Sequence, residues 1–194
     1  MKQNKQTLGF TLIELLMVIA IIGILAGILI PTVGAVRKQA NIAASKSQLS
    51  NYVTAITMFK GEYGYFPFTD AQVTGDSKGG KNVNSLNDDF IQTLSGRDGS
   101  TVVQEGGNRR SIGFHSFSES EFLLDDNDQV ATPLTIADRF SNTNIFIVID
   151  GDGDNKLKTG LGDEVRTSVT AWVVAVPDSA DDPAAGAPNY KLYE

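Results

Sequence analysis

The stretch Gly9-Phe10-Thr11-Leu12-Ile13-Glu14 opens an apolar run that lasts to Ile30 and carries a single charge, Glu14. A helix over the 21 residues from Phe10 to Ile30 is roughly 31 Å long, the hydrocarbon thickness of a bilayer. The segment is therefore long enough to span a membrane. A carboxylate inside such a span costs about 2.5–3.5 kcal/mol on insertion scales, which marks Glu14 as functional and in need of a partner. The nearest cations, Lys2 and Lys5, lie ahead of the run. Cutting the Gly9–Phe10 bond would create one. The new α-amine at Phe10 stands four residues before Glu14, on the same helical face, and can serve its own helix or an adjacent copy.

These residues carry a family resemblance. A short basic leader, Gly9, Phe10, then Thr11-Leu12-Ile13-Glu14-Leu15-Leu16, a long apolar run and Pro31 just past it resemble the processing signal of type IV pilins and type II secretion pseudopilins. The match covers roughly Lys5 to Arg37. The resemblance implies that prepilin peptidase, a membrane aspartyl peptidase, cuts after Gly9 and methylates the amine of Phe10. It implies that Glu14 pairs with the N-terminus of a neighbouring subunit during filament assembly, on an inner-membrane assembly platform. Two plainer readings compete. An ordinary secretory signal would be cut beyond the apolar core, near Ile24-Leu25-Ala26, and Glu14 in mid-core argues against it. A simple single-span anchor explains the length but neither Gly9 nor Glu14.

Composition fits one modest extracytoplasmic domain on a membrane anchor. The formal charge is −7, and losing Lys2 and Lys5 with a leader takes it to −9. Such an acidic chain lacks the basic footprint that nucleic acid requires. It contains no cysteine, which excludes disulfides, thiolate metal sites and thiol nucleophiles. Many adhesive type IV pilins close their C-terminal region with a disulfide, so the absence leans towards the secretion branch.

Pro31 should bend the helix without ending it. Val33, Val36, Ala40, Ala43 and Ala44, then Leu49, Tyr52, Val53, Ile56 and Phe59 recur at spacings of three and four, the mark of one buried stripe. Arg37, Lys38, Gln39, Asn41, Lys46, Ser47 and Gln48 fill the other faces. The reading is one long helix from about Phe10 to Lys60, closed by Gly61 and Gly64 with Pro67 beyond. A polar surface loop should follow from Thr69 to Asn84. Asn84 or Ser85 would then cap a short helix over about Leu86 to Leu94, stopped by Gly96. Strands of an antiparallel sheet are expected at Ser111–Phe117, Asn144–Ile149 and Thr167–Val176, with a loosely ordered tail after Pro177 apart from Tyr190 and Tyr193.

Chemistry in this half concentrates in Asp150-Gly151-Asp152-Gly153-Asp154-Asn155-Lys156-Leu157. Carboxylates at alternate positions of a glycine-containing turn converge on one hard cation, as at the start of an EF-hand loop, and calcium fits best. Position six is Asn155 instead of Gly, a mild departure because Asn tolerates left-handed backbone. Position twelve is Leu161 instead of Glu, so a final ligand would come from Asp163 or Glu164. The alternative is a solvated acidic turn after a strand. The Asp125, Asp126, Asn127, Asp128 cluster has no spacing glycines and reads as such a turn. His115, the sole histidine, reads as a strand surface residue, since zinc or nucleophilic chemistry needs partners the sequence does not place beside it. Nothing in the sequence supports an enzyme.

The expected organisation is a cleaved leader at 1–9, a transmembrane and filament-core helix at 10–30, and its amphipathic continuation at 31–60. A globular α+β domain at 61–176 and the tail at 177–194 follow. The fold class is α+β, a long helix packed on a small antiparallel sheet. The expected function is a structural subunit of a type II secretion pseudopilus or type IV pilus-like filament. It would sit single-pass in a bacterial inner membrane with its C-terminal domain in the periplasm, and assemble with copies of itself or other pilin-like subunits. The runner-up is a membrane-tethered monomeric calcium-binding module that shares the processing signal.

Overall fold

The structure is a computed structural model and describes residues 11–68, 80–86, 88–97, 107–176 and 188–193. Helix α1 runs Leu12–Tyr63, through Pro31, in agreement with the expected long helix. Gly64, at φ 79°, ends it by donating its N–H to Lys60 O at 2.8 Å, while Gly61 stays inside the helix. The chain divides into two compact units, Met1–Ala40 and Asn41–Glu194.

In the first unit the described side chains stand exposed, apart from half-buried Ala26. Leu12 is 81% exposed and Ile30 73%. Val33, Val36 and Ala40 belong to this exposed set, and Ala43 and Ala44 just beyond are exposed as well, so the first half of the expected stripe buries nothing.

In the second unit Leu49, Tyr52, Ala55, Ile56 and Phe59 form the buried face of α1, as the spacing dictates. Ser45 and Gln48 are buried on it too, against the expectation that Gln48 lies on a polar face. Its position four residues before Tyr52 fixes the face. Its amide Nε2 is accommodated by donating to Tyr52 OH and Ala137 O, each at 2.9 Å.

A four-stranded antiparallel sheet has the order β1-β2-β5-β6, with β1 Lys81–Asn82, β2 Ile145–Ile149, β5 Val169–Val173 and β6 Tyr190–Lys191. Strands β3 Leu157–Lys158 and β4 Glu164–Val165 form a separate pair. Register across the centre sets Ile145 against Val173, Ile147 against Ala171 and Ile149 against Val169. These residues join Leu49, Tyr52 and Ile56 in the main core, while Val148 and Trp172 pack on the opposite face with Leu157. Burial on both faces explains why β2 reads as a continuous apolar run instead of an alternating one. The sheet also takes in Tyr190, excepted from the expected loose tail and 5% exposed, together with Lys191; residues 177–187 of that tail lie outside the described residues.

Helix α2, Asp88–Ser95, matches the expected short helix and ends at Gly96, φ 69°. It is preceded by a 3₁₀ turn, Val83–Leu86, so Asn84 and Ser85 do not cap it. Asn84 instead ties distant segments together. Its Nδ2 donates to Ile136 O at 2.8 Å and Thr143 O at 3.1 Å, and its Oδ1 accepts from Ile136 N at 2.7 Å.

The expected strand at Ser111–Phe117 does not form. Its backbone groups are satisfied elsewhere: Phe114 N and His115 N both donate to Leu94 O, and the Asn108 side chain holds both N–H and C=O of Ile112. With those donors occupied there is no free edge to join a ladder. Of the expected surface loop at Thr69–Asn84, 69–79 lie outside the described residues.

Candidate functional site

Three places carry the candidate chemistry. At the start of α1, Gly9 and Phe10, the expected cleavage and methylation residues, lie outside the described residues. Thr11 and Glu14 are described. Glu14 Oε2 accepts from Thr11 N and Thr11 Oγ1, both at 2.8 Å, and Thr11 Oγ1 accepts from Glu14 N at 3.3 Å. This reciprocal arrangement is a capping box: each side chain satisfies a backbone donor that the first helical turn leaves without a partner. Past it, α1 is the one helix among the described residues long and apolar enough to cross a membrane. A helix apolar on every side and exposed on every side needs a lipid or protein environment to cover it.

The second place is the turn after β2. Oxygens of Asp150, Asp152 and Asp154 lie within 4.8 Å of one another. Asp150 is buried, 4% exposed, and the other two are exposed. Gly153 at φ 85° and Asn155 at φ 56° supply the left-handed residues that curl the loop, so Asn155 does what a glycine would do at position six. Each carboxylate accepts a backbone N–H: Gly153 N and Asn155 N donate to Asp150, Asp154 N to Asp152, and Lys156 N to Asp154. Burial pushes the Asp150 carboxyl up, but the N–H groups of Gly153 and Asn155, the Asp152 side chain and the Lys60 charge outweigh it and hold the group below its ordinary value.

This donor set of hard oxygens suits calcium. The expected completing ligands are not brought in. Asp163 Oδ2 is engaged by Lys191 Nζ at 2.5 Å and Tyr193 OH at 3.0 Å, and Glu164 sits exposed in β4 opposite Lys158. In the other acidic cluster, Asp125 Oδ1 accepts from Asn127 N and Gln129 N, an ordinary side-chain-capped turn.

The third place was not legible in the sequence. His115 is a half-buried residue of the loop, its side chain 11% exposed, and not a strand surface residue. Its Nε2 lies 2.9 Å from Glu121 Oε2, which also accepts from Tyr52 OH at 2.8 Å, while Glu121 Oε1 accepts from Ser118 N and Oγ at 3.0 Å. Burial pushes the Glu121 carboxyl up, and the donors His115, Ser118 and Tyr52 more than reverse it, leaving the group below its ordinary value. The residues come from α1 and from two turns of one loop. Ser118 and Glu121 form a Ser-x-x-Glu capping box, a signal legible in the sequence, but no periodicity or motif links them to His115 or Tyr52.

The family described as "Prokaryotic N-terminal methylation motif" matches residues 4–30, the span holding Gly9, Phe10 and Glu14. The chain is 36% identical over 67 residues to the type II secretion system core protein G of Pseudomonas aeruginosa, an alignment covering 34% of this chain and 47% of that protein. It is 52% identical over 52 residues to the type IV wide pilus major component PilA4 of Thermus thermophilus, covering 27% of this chain and 40% of that one. The chain thus spans less than half the length of either relative. No solved structure matches it. The N-terminal segment of the chain is thus similar to those of a type II secretion core protein and a type IV pilus component.

Proposed function

We propose that the chain is a structural filament subunit, of a type II secretion pseudopilus or a type IV pilus-like fibre. It is inserted single-pass in a bacterial inner membrane with its C-terminal domain in the periplasm. Prepilin peptidase cuts it after Gly9 and methylates Phe10, and an inner-membrane platform assembles it. The observation that carries this reading is the α1 segment from Leu12 to Val36, apolar and exposed on all sides yet bearing Glu14 in its first turn. In a plain anchor the carboxylate would do no more than cap its own helix with Thr11. In a filament such helices bury one another, and a head-to-tail contact that does not close gives an open helical polymer. The lack of cysteine and the acidic turn favour the secretion branch.

The chain's lack of cysteine makes the test clean. Two introduced cysteines, Ile19→Cys and Ile28→Cys, let each chain join two neighbours, so oxidation in assembling cells should give a ladder of crosslinked multimers. Monomer alone would overturn the filament and leave the membrane-tethered calcium-binding module. The convergence of Asp150, Asp152 and Asp154 supports a calcium ion at that turn in either case, where it would neutralise three mutually repelling charges.

A further inference from the structure

The pair of half-buried His115 and buried Glu121 stands against a cavity of about 500 Å³, a volume typical of small-molecule sites. Its apolar wall is Ile91, Phe114, Phe117, Phe122, Val130 and Leu134, and its polar groups include Arg97, His115 and Glu119. Hydrogen-bond accounting fixes the histidine. Glu121 accepts from Tyr52 OH and from Ser118 N and Oγ, so it is an ionised acceptor, and His115 Nε2 must donate to it. In the neutral ring Nδ1 is then the acceptor, and among the described residues no partner lies against it. Edge-on contacts with Tyr52 and Phe117, at 5.2 and 4.5 Å between ring centres, hold the imidazole in place. Glu121 and Tyr52 are not part of the cavity wall, so the imidazole is the boundary between the buried network and the open space.

We propose that this cavity binds a small amphipathic carboxylate. Its apolar or aromatic body lies among Phe114, Phe117 and Leu134, and its carboxylate pairs with Arg97 and with His115. An anion at Nδ1 favours the imidazolium, whose second N–H then donates to it, while Glu121 already balances the charge on the other side. Arg97 is exposed and can swing to the ligand. Glu119, also exposed and on the wall, opposes an anion. Among the described residues, the charged and titratable groups around His115 are Glu121 and Tyr52 from the core, with Arg97 and Glu119 on the wall of the same cavity.

Because His115 is the sole histidine, its ring resonances report binding without ambiguity. The full chain, labelled with ¹⁵N-histidine in detergent, is titrated with phenylpropanoate, with phenylpropanol as the uncharged control that enters micelles equally. Phenylpropanoate should move the His115 Nδ1 resonance saturably, and the alcohol should leave it in place. Arg97→Gln should weaken phenylpropanoate binding at least about fivefold, Glu119→Gln should tighten it, and Leu134→Trp, filling the rim, should abolish it with the sheet intact by amide spectra. Unchanged His115 resonances at saturating phenylpropanoate, an equal effect from the alcohol, or indifference to Arg97→Gln would overturn the proposal. The measurement uses unassembled chains, so its outcome is independent of whether the protein forms filaments.

Discussion

Tyr52 of α1 donates its hydroxyl proton to Glu121 Oε2 at 2.8 Å, joining residues 69 apart in sequence. The same hydroxyl accepts from Gln48 Nε2 at 2.9 Å. The long helix is therefore fastened to the loop not by apolar contact alone but by a buried chain of polar groups, each requiring the next.

Tyr52→Phe removes one donor from a buried carboxylate and one acceptor from a buried amide while keeping the ring. Leaving such groups without partners costs about 1–3 kcal/mol. Urea denaturation of the full chain should show a lower midpoint with an unchanged slope. A midpoint equal to that of the parent would show that the network adds no stability.

Acid should loosen the same point. The folded Glu121 carboxyl sits below its ordinary value, so its contribution is complete above the unfolded value of about 4.3 and disappears as pH falls through the lower folded one. Glu121→Gln should be less stable than the parent at neutral pH, with a gap that narrows on acidification. A gap constant from neutral pH down to about pH 3 would contradict the assigned ionisation.

Processing is tested at Gly9. Gly9→Val places bulk at the expected cut and should leave precursor in the membrane. Mass spectrometry of the parent should find a mature chain beginning at Phe10 and one methyl group heavier. A start after Ala26 would identify an ordinary secretory signal instead.

Glu14→Leu separates insertion from assembly. It removes a charge that costs about 2.5–3.5 kcal/mol in a bilayer, so the variant should enter the membrane at least as well as the parent yet build no filament. Normal filaments from the leucine variant would refute an obligatory carboxylate.

Calcium at the acidic turn should raise the melting temperature, because binding to the folded state alone adds about 2.7 kcal/mol at a hundredfold excess over Kd. Asp152→Ala should remove most of that gain, and magnesium should replace calcium poorly, since it requires tighter octahedral geometry. Identical melting curves in millimolar calcium and in chelator would leave a solvated turn.

What the sequence made legible was periodic or local. Leu49, Tyr52, Ile56 and Phe59 are spaced for one helical face, Gly64 and Gly96 stop their helices, and the apolar runs at 145–149 and 169–173 are strands. The Asp150–Asp154 convergence followed from alternation within one turn. What was not legible is the segment from 107 to 144, because its geometry is set by side chains gripping backbone far away. Asn84 holds Ile136, Gln48 holds Ala137, and Asn142 Nδ2 donates to Val174 O at 2.8 Å. Such pairings leave no period to read. The same is true of His115, whose burial depends on Glu121 and Tyr52 arriving from different elements.

The Thr11–Glu14 capping box changes what a neighbouring subunit meets. The carboxylate is not a bare charge awaiting capture, because two donors of its own chain already occupy it. An incoming ammonium group must displace them or share the oxygen. The driving force is then the difference between two sets of hydrogen bonds, smaller than the full cost of a lone charge in lipid. In the filament proposed above, a contact of that kind forms and breaks by partner exchange.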